Sequence, residues 1–183
     1  LKNEGLIERI QGKGTFAKHK RVTRSLRKVL SFTENMEKQG IVPSAMLLEK
    51  KVLDGYTEYH KKLNLNSGDK VLKVRRVKYG DGVPLLVDTR VINLKICPDI
   101  VNRNLTDSLY KIYEDYNIKI TKTDQFLELA FLDEEKAKLL GCKKSDPAFY
   151  IEGVLYIENE IPIEYEEDLW NAKAFRFYLE ASL

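Results

Sequence analysis

Apolar and polar residues alternate along two long stretches of the chain, each interrupted by a short turn. The first stretch, "KVLKVRRVKYGDGVPLLVDTRVI", turns at Gly80–Gly82, and the second, "AFYIEGVLYIENEIPIEYEEDLW", turns at Glu158–Glu160. Two runs of β-forming residues on either side of a short turn are typical of a β-hairpin. Three more strands are predicted in "SAMLLEKKVLD", "NIKITKTDQFLELAFL" and "AFRFYLEAS".

Helical segments are predicted between these strands, each with a suitable residue at its start. Ser31 and Glu34 form the S-x-x-E capping box of the first helix, which ends at Gly40. The predicted helices and their capping residues are "SFTENMEKQG" (Ser31), "YTEYHKKLNL" (Thr57), a helix running to Tyr116 (Thr106 or Asp107) and "DEEKAKLLG" (Asp133). Hairpins with inserted helices indicate an α+β domain with a mostly antiparallel sheet.

The N-terminal residues follow a different pattern. "LIERI" and "TFA" are two very short strands around a Gly-Lys-Gly turn, and such a hairpin is too small to bury a core of its own. The segment that follows it is polar and basic, without periodicity. We therefore expect residues 1–17 to be the remnant of another domain, residues 18–28 to be a linker, and residues 29–183 to form the main domain.

Composition and charge add two constraints. The 183 residues are 43% hydrophobic, and no apolar run approaches the roughly 20 residues of a membrane span. Residues 1–28 carry nine lysines and arginines against two glutamates, whereas the whole chain has a net charge of only +3. This asymmetry indicates contact with a polyanion at the N-terminal end, although a solvated basic linker would have the same composition.

Residues that usually carry catalysis or bind metals are sparse. Cys97 and Cys142 lie far apart, which is typical of free thiols in a reducing cytoplasm, and His19 and His60 are isolated. The chain has no G-x-S-x-G, H-E-x-x-H or P-loop motif. We therefore expect no catalytic residue, no metal site and no cofactor.

Several segments, in order along the chain, resemble a known family of bacterial regulators. "LKNEGLIERIQGKGTF" resembles the end of the winged helix-turn-helix domain of GntR-type transcription regulators. "LSFTENMEKQGIVPSAMLL", "VRRVKYGDGVPLLVD", "CPDI", "SLYKIYEDYNI" and "IPIEYEEDLWNAKAFRF" resemble the effector-binding UTRA domain of the HutC subfamily. The resemblance implies a chorismate lyase-like fold, a cytoplasmic homodimer, a bound small-molecule effector, and operator DNA as the partner of the winged-helix domain.

The resemblance also assigns a role to the short hairpin, as the wing that approaches DNA phosphates and the minor groove. The wing residues implied to bind DNA are Gly12, Lys13, Gly14 and Thr15. Sequence-specific readout requires the recognition helix, which precedes the wing in this family. This segment alone is therefore expected to bind DNA weakly and without sequence preference.

Effector residues are first expected at two predicted helix starts. Ser31, Phe32 and Thr33 begin one helix, and Ser108 and Tyr110 begin another. Free backbone amides and hydroxyls at such positions suit an anion. Ser31 could also serve only as the cap of its own helix.

The strand before the Gly-Asp-Gly turn supplies the expected cations. Arg76 and Lys78 are two residues apart, so their side chains lie on the same face of the strand, whereas Arg75 is expected to point to solvent from the opposite face. The family usually shows Arg-x-Arg here, and Lys78 replaces a rigid guanidinium with a point charge. Alternatively, this strand is simply a polar outer face.

Three further residues complete the expected site. Asp88 takes a position where the family usually has glutamate, and its carboxylate suits sugar hydroxyls or an amine. Glu164 is either a polar group of the pocket or a surface carboxylate. Phe175 replaces the tyrosine of the family pattern and is expected to stack on an apolar sugar face.

Together, these features predict the effector-sensing part of a transcription regulator, most simply a repressor that responds to a phosphorylated sugar or a related anion. Effector binding is expected to change how residues 18–28 leave the domain and so to alter the spacing of the DNA-binding heads. Two other interpretations remain open: a chorismate lyase-like enzyme, because the fold is shared, and a dimerisation module without a ligand.

Overall fold

The computed structural model describes residues 7–10, 14–17, 21–25 and 31–180. Ten strands are described: β1 (Ile7–Ile10), β2 (Gly14–Ala17), β3 (Val22–Ser25), β4 (Pro43–Leu53), β5 (Val71–Gly80), β6 (Val83–Asn93), β7 (Lys122–Phe131), β8 (Pro147–Tyr156), β9 (Pro162–Asn171) and β10 (Phe175–Tyr178). Four α-helices are described: α1 (Phe32–Glu37), α2 (Glu58–Lys62), α3 (Leu109–Asp115) and α4 (Glu134–Leu139). Short 3-10 helices occupy Pro98–Asn102 and Glu158–Glu160.

Six of the strands form one antiparallel sheet in the order β4-β5-β6-β9-β8-β7. The β5–β6 hairpin turns at Asp81 and Gly82, which both have positive φ, and the β8–β9 hairpin turns where Asn159 has a φ of 59°. Both hairpins and the α+β fold class predicted from the sequence are confirmed. Since β4 and β7 lie at the two ends of the strand order, the sheet has two long edges.

Both faces of the sheet are covered by helices, which explains why its central strands are buried on both sides. On one face, Val77 and Val87 pack against Ala137 and Leu140 of the α4 region. On the same face Val91 and Tyr165 pack against Leu63, just after α2. We call the opposite face the cavity face, because the candidate site lies there.

Two apolar clusters on the cavity face leave a polar strip between them. At one end, Leu72, Val74 and Ile92 of the sheet pack against α3 through Ile112 and Tyr113. At the other end, a second cluster joins the sheet to α1, β3 and β10; its buried members are Val22, Phe32, Met36, Leu85, Leu86, Ile151, Trp170 and Phe175. The polar strip therefore has apolar walls, and it forms the floor of the candidate site.

The predicted linker contains a strand that the sequence did not reveal. Val22–Ser25 pairs in parallel with Phe175–Tyr178, so the closing strand of the chain joins β3 instead of the main sheet. Val22 is buried in the second apolar cluster. Residues 22–25 are therefore attached to the domain, whereas the sequence placed them in an irregular segment.

Two local predictions also need correction. The predicted strand that began near Asn117 starts only at Lys122, because Asn117 adopts a positive φ of 57°. The N-cap of α3 is Ser108, not Thr106 or Asp107. The hydroxyl of Thr106 instead donates to the side chain of Asn104.

The predicted N-terminal hairpin is present as the antiparallel pair β1–β2. Gly14 and Thr15, two of the expected DNA-binding residues, lie in β2. Gly12 and Lys13, the other two, lie outside the described residues.

Candidate functional site

A cavity of about 440 Å³ opens between the polar strip of the sheet and the starts of α1 and α3. This volume suits a small metabolite. The residues that line the cavity are Arg24, Ser31, Phe32, Thr33, Glu37, Val42, Pro43, Ser44, Ala45, Arg76, Lys78, Arg90, Thr106, Asp107, Ser108, Leu109, Tyr110, Lys111, Glu164 and Glu166.

Three cations converge on the carboxylate of Asp88 beneath this cavity. Arg76 donates to it from Nε at 3.0 Å and from Nη2 at 2.6 Å. Lys78 Nζ lies 2.8 Å from Oδ2, and Arg90 Nε lies 3.1 Å from the same oxygen. Asp88 is fully buried, so these partners are needed to keep its charge in the interior.

Three carboxylates converge in turn on the guanidinium of Arg90. Asp168 accepts two hydrogen bonds from Nη2, at 2.8 and 3.0 Å. Glu164 lies 3.4 Å from Nη1, and Glu166 also pairs with Nη1. The three acids alternate along β9, so their side chains share the cavity face.

The pKa values of the buried groups follow from this crowding. Burial alone would raise the pKa of Asp88, but its cationic neighbours hold it well below its usual range. Burial and the nearby Arg76 lower the pKa of Lys78 to about 8, against the opposing effect of Asp88. Burial raises the pKa of Glu164 and of Asp168, although Arg90 opposes both shifts. When burial removes a charged group from water and nearby opposite charges compensate only in part, the pKa shifts so that the neutral form is favoured, as it does for Lys78, Glu164 and Asp168.

Glu166 has a second partner that reaches it across a strand. Gln125 of β7 donates from Nε2 to Glu166 of β9, although β8 lies between them. The intervening residue of β8 is Gly153, and a Cβ there would lie 2.7 Å from Cγ of Gln125. Only glycine leaves room for this contact.

The walls of the cavity supply neutral polar groups. The hydroxyl of Ser108 is buried and, within the described part of the chain, has no hydrogen-bond partner. Burial and the nearby Glu164 raise the pKa of Tyr110 to about 12, so its phenol is a donor at neutral pH. Ser31 accepts a hydrogen bond from the amide of Glu34 at 3.1 Å, which confirms Ser31 as the N-cap of α1. The carboxylate of Glu34 accepts from Lys38 Nζ at 2.8 Å, so among the described residues only the Ser31 half of the predicted capping box is present.

Arg24 brings the predicted linker into the site. Its guanidinium lies 5.0 Å from the ring centroid of Trp170, a cation–π geometry. Burial lowers the pKa of Arg24, and the charge of Asp168 opposes the shift. A side chain from β3 therefore forms part of the cavity wall, close to the acidic residues of β9.

Most of the residues expected from the sequence meet in this cavity. Those that line it are Ser31, Phe32, Thr33, Arg76, Lys78, Ser108, Tyr110 and Glu164. Asp88 does not line it, because it lies beneath the floor as the counter-ion of the cations. Phe175 does not reach it either, because it is packed against Trp170 with ring centroids 4.4 Å apart. Arg75 lies on the opposite face, as expected, but it is half-buried and paired with Glu135 at 2.8 Å.

Four charged residues of the site, Arg24, Arg90, Glu166 and Asp168, were not predicted from the sequence. Glu164, Glu166 and Asp168 are spaced two residues apart in "IEYEEDLW", and this spacing could have placed all three on one face of a strand. Arg90 follows Asp88 by two residues, and this spacing likewise places both side chains on the same face of a strand. Arg24 has no such signal, because the segment around it is polar and has no periodicity.

Within the described residues, no group of three or more histidine, cysteine or acidic side chains could hold a metal ion. In the same part of the chain, no helix is long and apolar enough to cross a membrane.

An antiparallel sheet that carries a polar, metabolite-sized cavity between two helix starts defines a class of small-molecule-binding domain. The UTRA domain family matches residues 38–176, and this chain belongs to that family.

Two relatives are similar to this chain in sequence, and one solved structure shares its fold. The chain is 27% identical over 178 residues to "HTH-type transcriptional repressor NagR" of Bacillus subtilis, covering 97% of this chain and 73% of NagR. It is 26% identical over 166 residues to the "Probable fructoselysine utilization operon transcriptional repressor" of Escherichia coli K12, covering 90% of this chain and 68% of that protein. The crystal structure of PhnF from Mycobacterium smegmatis has a TM-score of 0.87 at 24% identity, covering 98% of this chain and 80% of PhnF.

These comparisons confirm the resemblance to GntR-type regulators of the HutC subfamily and the expected fold. They also confirm that the chain is the effector-binding part of a transcription regulator and not an enzyme, since these relatives are named as transcriptional repressors. The enzymatic alternative drawn from the shared chorismate lyase fold is thereby set aside.

Proposed function

We propose that this chain is the sensor of a homodimeric cytoplasmic repressor that releases its operator when a phosphorylated sugar or a related anion fills the cavity. The observation that carries the proposal is the arrangement of Lys78, Arg76 and Ser108 around one concave space of about 440 Å³. The names of the relatives support a sugar-related effector, because one is a fructoselysine utilization repressor.

The anion is best placed near Lys78. The Lys78 side chain lines the cavity and is 14% exposed, and within the described part of the chain its ammonium pairs with one carboxylate, that of Asp88. Arg76 adds positive charge but is 1% exposed, and it is already engaged by Asp88 and by the carbonyl of Leu105 at 2.8 Å. The hydroxyl of Ser108, which has no hydrogen-bond partner among the described residues, offers a hydrogen bond to a ligand. Charge-assisted hydrogen bonds of this kind are stronger than neutral ones.

Transmission to the operator begins at Arg24. This residue lines the cavity from β3, and β3 lies between the β1–β2 hairpin and α1. An occupant of the cavity would therefore contact the first segment of the domain that follows the wing. Because linkage is reciprocal, an effector that weakens operator binding must bind more weakly to the operator-bound repressor.

The proposed homodimer forms through the two edges of the main sheet. Phe126, Leu129 and Phe131 of β7 are 67%, 63% and 68% exposed, and β4 exposes Met46 and Val52. A long edge strand with large exposed apolar side chains is an association site. In a two-fold dimer that pairs β4 of each copy with β7 of the other, both edges of both sheets become covered.

The test uses a form of the protein that carries an intact winged-helix domain, with operator DNA selected from a random library. Operator affinity is measured with and without each member of a panel of hexose phosphates. We expect at least one member to weaken operator binding, and Arg24→Gln to reduce that response. Equal operator affinity with and without every hexose phosphate that binds would refute the proposal.

Fluorescence of Trp170, the single tryptophan of the chain, reports the same event inside the domain. Because the guanidinium of Arg24 lies over its ring, movement of β3 changes the surroundings of the indole. We expect a bound hexose phosphate to change the emission of the native protein more than that of Arg24→Gln. A ligand-free dimerisation module would show no change with any member of the panel.

A further inference from the structure

The side of the cavity floor that lies on β5 has an excess of positive charge. Arg76 and Lys78 both lie on this strand, and both pair with Asp88 of the neighbouring strand β6. No other carboxylate is within ion-pair distance of either cation among the described residues. The two cations of β5 therefore share one counter-ion, which Arg90 of β6 also contacts.

The side of the floor that lies on β9 has the opposite imbalance. Glu164 and Glu166 line the cavity, and both pair with the guanidinium of Arg90. Arg90 also holds Asp168, whose charge is opposed in addition by Arg24. Within the described part of the chain, the remaining partners of the two glutamates are neutral donors, Tyr113 and Gln125.

The two imbalances are connected through one pair of residues on β6, the strand that lies between β5 and β9. Lys78 Nζ lies 2.8 Å from Oδ2 of Asp88, and Nε of Arg90 lies 3.1 Å from the same oxygen. Nη1 of Arg90 in turn lies 3.4 Å from the carboxylate of Glu164, so the cationic and acidic sides of the floor are within reach of one small molecule. Both sides line the same cavity, and one extended small molecule can contact them simultaneously.

We propose that the effector is bipolar, with an anionic group such as a phosphate near Lys78 and a protonated amine near Glu164 and Glu166. The inference rests on the proposed function and specifies the chemical class of its effector. A ligand with both groups compensates both sides of the floor, whereas a simple anion compensates only one.

The protonation behaviour of the floor agrees with this division. The pKa of Lys78 is lowered by burial and by Arg76, so a neighbouring anion would favour its charged form. The pKa of Glu164 is raised by burial, so a neighbouring cation would favour its charged form. Each side is thus short of the charge that the corresponding end of the ligand provides.

The test compares two probes that differ in one group. Aminohexyl phosphate carries an ammonium at the end opposite its phosphate, and hydroxyhexyl phosphate carries a hydroxyl there. Dissociation constants for the chain are measured by calorimetry, with inorganic phosphate as the reference. We expect aminohexyl phosphate to bind about tenfold more tightly than hydroxyhexyl phosphate, as for a charge-assisted hydrogen bond.

Variants assign the two ends of the probe to the two sides of the floor. Glu164→Gln should remove most of the advantage of aminohexyl phosphate while changing the affinity of hydroxyhexyl phosphate less than about threefold. Glu166→Gln gives a second reading if Glu164→Gln does not fold. Lys78→Met should weaken both probes by a similar factor, because both carry phosphate. Glu160→Gln removes an exposed carboxylate paired with Lys122 and should leave the advantage unchanged.

Equal affinity of the native chain for the two probes would overturn the bipolar effector and leave the sensor function standing. So would an advantage of aminohexyl phosphate that survives in both glutamine variants. Absence of binding by inorganic phosphate and by both probes would overturn the bipolar effector together with the anionic effector of the proposed function.

Discussion

Arg76 and Asp88 form a two-point ion pair beneath the cavity, with hydrogen bonds of 3.0 Å from Nε and 2.6 Å from Nη2. Arg76 also donates to the carbonyl of Leu105 at 2.8 Å and to that of Asp107 at 3.3 Å. A single guanidinium thus joins β5, β6 and the loop that leads into α3. Arg76, expected from the sequence mainly as an anion-binding group, also organises the wall of the cavity.

The first prediction follows from this dual role. Arg76→Ala leaves the buried carboxylate of Asp88 with fewer partners and two backbone carbonyls without a donor. We expect it to lower the free energy of unfolding by about 3 kcal/mol, the lower end for breaking a buried pair, because Lys78 and Arg90 remain beside Asp88. Urea denaturation measures the change.

Arg75→Ala is the matched control for that experiment. Arg75 is the neighbouring residue on the same strand, but it faces the other way and pairs with the exposed Glu135. We expect it to change the free energy of unfolding by less than about 1 kcal/mol. Similar losses from the two variants would show that the buried pair with Asp88 adds little to stability.

The second prediction concerns the pH dependence of Lys78. Its pKa is lowered from 10.5 to about 8, so its charge opposes folding, and its contribution to stability rises as the pH increases from about 8 to 10.5. Phosphate binding follows the opposite course, because phosphate requires the protonated amine. We expect phosphate affinity to fall progressively as the pH rises through about 8.

Lys78→Arg provides the comparison, because a guanidinium stays protonated throughout this range. We expect its phosphate affinity to be independent of pH between pH 7 and 9, as measured by calorimetry. A native protein with the same flat profile would contradict a role for the Lys78 ammonium in binding phosphate.

The main sheet could be predicted from the sequence because each hairpin carries its own local signal. The β5–β6 and β8–β9 pairs are both marked by period-two alternation around a short turn. The β3–β10 pair has no such signal, since its strands are four residues long, parallel, and at opposite ends of the domain. Pairing over such a sequence separation is decided by tertiary packing, here by burial of Val22 and Phe175 in one apolar cluster.

The site could be predicted only in part, for a similar reason. The period-two alternation of the sequence indicates which face of a strand carries Arg76, Lys78 or Glu164. It does not indicate which acidic residue pairs with which basic residue. Asp88 became a counter-ion and not a ligand group because its register places it directly opposite Arg76. Phe175 was expected in the pocket because it takes the place of a tyrosine in the family pattern, but its ring packs against Trp170 in the apolar cluster.

The third prediction uses the unpaired hydroxyl of Ser108. Because Oγ has no partner among the described residues, Ser108→Ala removes no hydrogen bond from the free protein. We expect its free energy of unfolding to match that of the native chain within about 0.5 kcal/mol, and its affinity for hexose phosphates to fall about tenfold. Calorimetry and urea denaturation provide the two measurements.

Ser44→Ala is the control for Ser108, because Ser44 also lines the cavity but lies on the edge strand β4. It should weaken hexose phosphate binding less than Ser108→Ala. If Ser108→Ala lost stability and kept its affinity, its hydroxyl would belong to the fold and not to the binding site.

The fourth prediction concerns the edge strand β7 and the proposed dimer. Leu129→Asp places a charge where a large apolar side chain is 63% exposed, so the fold of the single chain should tolerate it. In the proposed dimer the same position would be covered, and an unpaired carboxylate there would be costly. We expect Leu129→Asp to raise the dimer dissociation constant at least about tenfold, measured by sedimentation equilibrium.

Leu179→Asp is the matched control, because Leu179 is 73% exposed but follows β10, which pairs with β3 and is not a strand of the main sheet. It introduces the same charge and should leave the dimer dissociation constant unchanged. If Leu129→Asp also left that constant unchanged, the copies would not meet through β7. A dimer weakened equally by both variants would indicate a general effect of added negative charge, and the exposed apolar row of β7 would then need a different partner.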